Sequence, residues 1–186
     1  FYLFEGPIRQ IGKYVRDIAA HEFFHIVTPL NIHSEEIGNF NYINPKMSKH
    51  LWLYEGVTEY SSLHVQVKYG LYDEETFFDE IKTKIINAKN YPEISFTKMS
   101  EHILEPEYRD VYQNVYEKGT LIAMCLDLYL IKYSNGTYDL QALIKDLSQQ
   151  FGKNNSFKDD ELFDIIEELT YPEIGEFFEQ YVVGAT

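Results

Sequence analysis

His21-Glu22-Phe23-Phe24-His25 is the stretch of this chain whose residue types and spacing could do chemistry. Residues four apart on an α-helix stand one turn above each other on the same face, so imidazoles at 21 and 25 can close on one metal ion. Glu22 flanks that face, three residues from His25, without having to be a ligand. Two imidazoles suit zinc, and a carboxylate beside them suits a base acting on the water that the metal activates, which is the chemistry of hydrolysis. The pentapeptide by itself is equally compatible with a helix that packs two polar residues under its neighbours.

A catalytic zinc takes three protein ligands and keeps a fourth position open. Glu55 is the candidate for the third. It lies in Leu51-Trp52-Leu53-Tyr54-Glu55-Gly56-Val57-Thr58-Glu59-Tyr60, an apolar, aromatic-rich segment in which an isolated carboxylate is costly. Gly56 beside it removes a side chain where a second helix must come close. The plain alternative for Glu55 is a helix-start carboxylate facing solvent. Glu59, one turn further along, is either a solvated carboxylate or the acceptor for the outer ring nitrogen of a ligand histidine. The remaining histidines point elsewhere. His64 follows Glu55 by nine positions, which at ~100° per residue turns it to the opposite side of the helix. His50 is off the face as well, while His33 and His102 fall in loops, where a surface imidazole is the expectation.

These residues need helices to position them. Ile8, Ile11, Val15 and Ile18 form a stripe at three- and four-residue spacing, which predicts one helix from about Ile8 to Val27, ended by Pro29. Its second half is apolar on nearly all sides apart from His21, Glu22 and His25, which predicts a buried helix; metal binding would offset the cost of burying its ionisable groups. Residues 30–49 read as a polar loop, long enough to be functional. A second helix is predicted from Leu51 to about Tyr69 with Gly70 at its stop. A third runs from an Asp73 N-cap to about Lys89, with Tyr72 and Phe77 placed as a hydrophobic staple. Residues 90–112 read as irregular. A fourth helix spans roughly Gln113–Tyr133 and stops at Asn135-Gly136, and three shorter amphipathic helices follow near 138–151, 159–169 and 173–183. No strand-like alternation, internal repeat or low-complexity tract is visible, so the class is mainly α.

Composition narrows the function. The 186 residues suffice for one domain with a real core, and 45 % hydrophobic residues, with 16 Tyr and 13 Phe, suit a packed globule. A formal charge of −14 argues against nucleic acid, whose phosphates need the opposite sign. Cys125 is the only cysteine, so neither a disulfide framework nor a cysteine metal site is available. No apolar run reaches the ~18 residues a membrane span needs. The chain opens at Phe1 without a signal peptide and stops at Thr186, and reads as a piece of a longer protein.

HEFFH at 21–25, LWLYEGVTEY at 51–60 and VYEKG at 115–119 occur in one order, and together they resemble the gluzincin metallopeptidases, in particular the glycyl aminopeptidase family. The resemblance covers roughly residues 8–135. It implies a mainly α fold, the helical lobe of a thermolysin-like catalytic unit, with residues 1–186 forming a single helical catalytic domain of a longer chain. It implies Zn2+ held by His21, His25 and Glu55, Glu22 as general base, and Tyr116 facing the substrate carbonyl, with Tyr112 one turn earlier as the fallback. Without the resemblance, Tyr116 would be one more core aromatic.

The implied activity is hydrolysis of peptide bonds, by an aminopeptidase acting on small N-terminal residues such as Gly or Ala. A zinc endopeptidase with the same ligands and a catalytically silent peptide-binding relative are the alternatives. The chain departs from the family pattern at Ile26-Val27-Thr28-Pro29-Leu30-Asn31, where the family carries a Trp-Asn-x-Lys-Arg-like run. The family's N-terminal β-rich region and C-terminal PDZ-like domain are expected elsewhere in the full chain, as are the residues that grip a substrate's free amine.

Overall fold

Gly56 and Gly119 meet backbone to backbone at the centre of the molecule, and the helices are arranged around that crossing. A Cβ placed on Gly56 would lie 2.4 Å from the Gly119 carbonyl oxygen and 2.8 Å from its Cα. The close approach expected of Gly56 is therefore real, and its partner is the glycine of the VYEKG stretch. The computed structural model describes residues 7–184, without the side chains of residues 8–10, so the place of Ile8 in the apolar stripe lies outside the described residues.

Nine α-helices occur among the described residues: α1 (Ile8–Phe24), α2 (Glu35–Gly38), α3 (Val57–Lys68), α4 (Glu74–Ala88), α5 (Phe96–Glu101), α6 (Asn114–Tyr133), α7 (Leu140–Gln150), α8 (Leu162–Leu169) and α9 (Pro172–Phe178). A π-helical turn, Trp52–Gly56, leads into α3, a second, Glu179–Val183, extends α9, and a 3-10 turn spans Pro106–Val111. No strand forms among the described residues; two isolated bridges, Ser34 with Phe157 and Gly152 with Asn155, are all the sheet-like pairing there is. The mainly α class follows.

α6 is the hub, and it packs on the first π turn, α3, α4, α7 and α9, while α1 lies along α3. Its Val115, Ile122, Ala123, Leu126 and Leu130 are buried together with Trp52, Leu53, Phe96, Leu143, Leu162 and Phe178 in the main core. Leu63, Tyr72 and Ile81 make a smaller core between α3 and α4, with Phe77 packed against it. Several predicted signals act as expected. The Asp73 carboxylate caps α4 by accepting from the Thr76 N–H at 2.8 Å, Gly70 adopts φ +70° at the end of α3, and Asn135 and Gly136 adopt positive φ after α6.

Other expectations are corrected. α1 stops at Phe24, ahead of Pro29, and His25 sits at its C-cap. The segment expected as the buried second half of that helix is not buried all round, since Phe23 is 65 % exposed and Ile26, beyond the end of α1, 50 %. Residues 30–49 are not simply a polar surface loop. They contain α2 and the buried residues Ile32, His33, Ser34 and Ser48. The C-terminal half holds them in place: the Glu35 N–H donates to the Phe157 carbonyl at 2.9 Å, the Phe157 N–H to the His33 carbonyl at 3.1 Å, and the Ser48 hydroxyl to Asp159 at 2.7 Å. His33, expected at the surface, is 7 % exposed and donates from Nδ1 to the Pro29 carbonyl at 2.8 Å. Residues 90–112, expected to be irregular, hold α5 and the 3-10 turn.

Gly56→Ala is expected to force α6 off the π turn and to cost about 1–3 kcal/mol, a drop of about 2–12 °C in Tm. Gly12→Ala is the control, because a Cβ there meets nothing within 4 Å and alanine favours a helix interior. Thermal unfolding followed by circular dichroism gives both values, and an unchanged Tm for Gly56→Ala would contradict the crossing.

Candidate metal centre

α1 presents His21 and His25 one turn apart, their ring centroids 4.8 Å apart and the rings nearly perpendicular at 86°. The chain bends after Phe24, and that bend brings the Thr28 carbonyl back to His25, whose Nδ1 lies 3.0 Å from it. A carbonyl can only accept, so Nδ1 donates and Nε2 is left with its lone pair. His21 is oriented from another helix, its Nδ1 lying 2.8 Å from Glu59 Oε2 on α3, a carboxylate oxygen that can only accept. Both Nε2 atoms then face one oxygen, Glu55 Oε2, at 3.3 Å from His21 and 3.6 Å from His25. Glu55 sits in the π turn, a deviation that recurs at functional sites in helices, and the turn is pinned by the Gly56 crossing.

His21, His25 and Glu55 thus offer three ligand atoms within 4.8 Å of one another. A tetrahedral ion with bonds of ~2.0–2.2 Å separates its ligand atoms by ~3.3–3.6 Å, which is the spacing of both imidazoles from the carboxylate. Glu55 Oε2 is buried and takes no well-directed hydrogen bond. A buried carboxylate oxygen with no hydrogen-bond donor directed at it is expensive, and a divalent cation between it and the two imidazoles would satisfy it. The residues present therefore fit a metal ion of N, N, O preference.

The electrostatics of the metal-free chain are strongly perturbed. Burial works against the His21 imidazolium, but the carboxylates of Glu55 and then Glu59 outweigh it and raise its pKa to about 9. Burial works likewise against the Glu59 carboxylate, yet the hydrogen bond from His21 and the charge of Lys84 hold it down to about 2. Lys84, on α4, lies 2.7 Å from Glu59 Oε1, so each oxygen of that carboxylate has its own donor.

Glu22 is exposed and its carboxylate makes no hydrogen bond or ion pair among the described residues, although it adjoins His21 in the chain. Tyr116, at the start of α6, has its ring 5.9 Å from that of His21. Its hydroxyl lies 3.4 Å from that of Tyr112; burial and then this contact push its pKa up, so it stays a neutral donor. The other histidines stay out of the cluster. His50 is buried between the Asp159 carbonyl (2.8 Å) and the Trp52 indole N–H (3.1 Å). His64 stacks on Tyr60 at 5.7 Å, and His102 pairs with Glu105 at 2.7 Å.

Reasoning from sequence missed Lys84 and the Thr28 carbonyl. No spacing rule links Lys84 to Glu59, since α4 joins the site only by packing, and any residue at 28 supplies a carbonyl.

The crystal structure of an aminopeptidase N family protein from Idiomarina loihiensis superposes with a TM-score of 0.86 at 20 % identity, over 100 % of this chain and 33 % of that one. At that identity the likeness establishes the fold, and the chain spans about a third of the length of the structure it matches. A comparison with curated proteins found no match. The sequence does match M61 glycyl aminopeptidase over residues 14–122, more than half of the chain and a span that includes His21, His25, Glu55, Glu59, Lys84 and Tyr116. By that match, this chain belongs to the M61 glycyl aminopeptidase family.

Proposed function

We propose that the chain carries the catalytic centre of a zinc-dependent peptidase that hydrolyses peptide bonds, and that the full protein is an aminopeptidase acting on small N-terminal residues such as Gly or Ala. The reading rests on one observation, the convergence of His21 Nε2, His25 Nε2 and the buried Glu55 Oε2 within ion-coordination distance of one another. Family membership supports the peptidase class and the exopeptidase preference. The other walls of the substrate cleft would come from segments outside this chain.

His21, His25 and Glu55 would hold the ion, and Glu59 and the Thr28 carbonyl hold the two imidazoles in the tautomer that leaves Nε2 available. Bound there, zinc supplies Lewis acidity, acidifying a water molecule and polarising the scissile carbonyl. Glu22, solvent-facing and without a partner, accepts the proton of the attacking water and returns it to the leaving amine. Tyr116 donates its hydroxyl hydrogen to the oxyanion that develops on the carbonyl oxygen, a contact whose removal typically costs ~3 kcal/mol of transition-state stabilisation.

The purified full-length protein is expected to hold one zinc per chain by elemental analysis, and His21→Ala to lose it; wild-type protein without stoichiometric metal would remove the reading. Glu22→Gln should keep its zinc while kcat falls by at least roughly 10²–10⁴-fold, and turnover at the parental rate would strip Glu22 of its role. Peptides with a free amine are expected to be cleaved and N-blocked ones spared, whereas equal cleavage of both would mark an endopeptidase.

Metal uptake carries a sign with pH. The metal-free His21 is protonated below about 9, and a ligand imidazole must be neutral, so binding at pH 7 releases about one proton and apparent affinity rises about tenfold per pH unit toward 9. Titration calorimetry in buffers of different ionisation enthalpy reads that proton. Because this pKa is raised above the unfolded value, the metal-free fold keeps the His21 contribution below about 6.5 and loses it as pH rises through about 9.

A further inference from the structure

Lys84 lies beneath the metal centre without touching it. Its ammonium is 2.7 Å from Glu59 Oε1 and 3.9 Å from Glu117 Oε2, and its side chain is only 12 % exposed. Glu117 is itself buried. Its Oε2 accepts no hydrogen bond, and its Oε1 has only a long 3.4 Å contact from Asn87 Nδ2. Among the described residues, one lysine on α4 thus serves two buried carboxylates, one on α3 and one on α6.

Replacing a buried ion pair by apolar groups is often neutral or favourable, so stability alone is a weak reason for this arrangement. The geometry supplies a better one. A carboxylate rotates about its terminal torsion with little resistance. In Glu59 both oxygens are engaged, Oε2 by His21 Nδ1 at 2.8 Å and Oε1 by Lys84, so the carboxylate plane is held. Glu117 anchors Lys84 from behind, and the line Glu117–Lys84–Glu59–His21 runs from α6 through α4 and α3 to α1.

We propose that Lys84 is a positioning residue for the metal centre, fixing the Glu59 carboxylate so that His21 keeps its Nδ1–H on Glu59 and presents Nε2 to the ion. This inference rests on the metal-binding reading above. Outer partners of this kind are typically worth 10–100-fold in metal affinity.

The test is a zinc-affinity cycle by chelator competition in the full-length protein. Lys84→Met and Glu59→Gln are each expected to weaken zinc 10–100-fold. Their combination should be no weaker than the worse single variant by more than about twofold, because one acts through the other. Lys84→Arg, whose fork spans two carboxylates, should restore affinity. Lys84→Gln is run alongside, so that failure of the methionine variant to fold still leaves the cycle readable. Wild-type affinity in the folded lysine variant, or effects that multiply in the double variant, would overturn the inference and reduce Lys84 to a structural ion pair. Wild-type protein that takes up no zinc would instead overturn the metal-binding reading itself.

Discussion

Two glycines with no side chain between them set the geometry on which the site depends. At the crossing of the first π turn with α6, a Cβ on Gly56 would fall 2.4 Å from the Gly119 carbonyl oxygen, too close for any other residue without moving a helix. The neighbours of these glycines are the working groups. Glu55 precedes Gly56, and Tyr116 and Glu117 lie just ahead of Gly119. Bringing the two backbones into contact therefore sets the spacing of Glu55 from Tyr116, and α1 completes the candidate site by lying along α3.

The second constraint is charge. Glu55, Glu59, Lys84 and Glu117 come together from four elements, the first π turn, α3, α4 and α6, in the partly buried interior, where an uncompensated charge is costly. The carboxylates are resolved in different ways. Glu59 is satisfied on both oxygens by His21 and Lys84. Glu55 keeps one buried oxygen without a hydrogen-bond partner, so of the two it is Glu55 that invites a cation. The contrast separates the candidate ligand from its supporting residue although both are glutamates on consecutive turns.

Membership of the M61 glycyl aminopeptidase family and the fold shared with an aminopeptidase N family protein agree with that geometry. The stretch Ile26 to Asn31 follows the end of α1 at Phe24. There the chain turns through a cis Thr28–Pro29 bond and delivers the carbonyl that orients His25. His25 sits at the C-cap of α1.

The order of the helices, the caps and stops at Asp73, Gly70 and Gly136, and the pairing of His21 with His25 were legible in the sequence. Each depends on residues within about one or two helical turns, and local torsions and the 3.6-residue period carry that information. The early end of α1, the burial of His33 and the anchoring of residues 30–49 by Phe157 and Asp159 were not legible, because their partners lie far away in the chain. The same divide runs through the site. Sequence alone determined which residues on α1 and in the 51–60 segment have the right chemistry. The tertiary structure alone decided that Glu55 reaches both imidazoles, that Glu59 supports His21, and that Lys84 stands behind Glu59, because ångström distances between separate helices come from how their surfaces pack, which no spacing along the chain encodes.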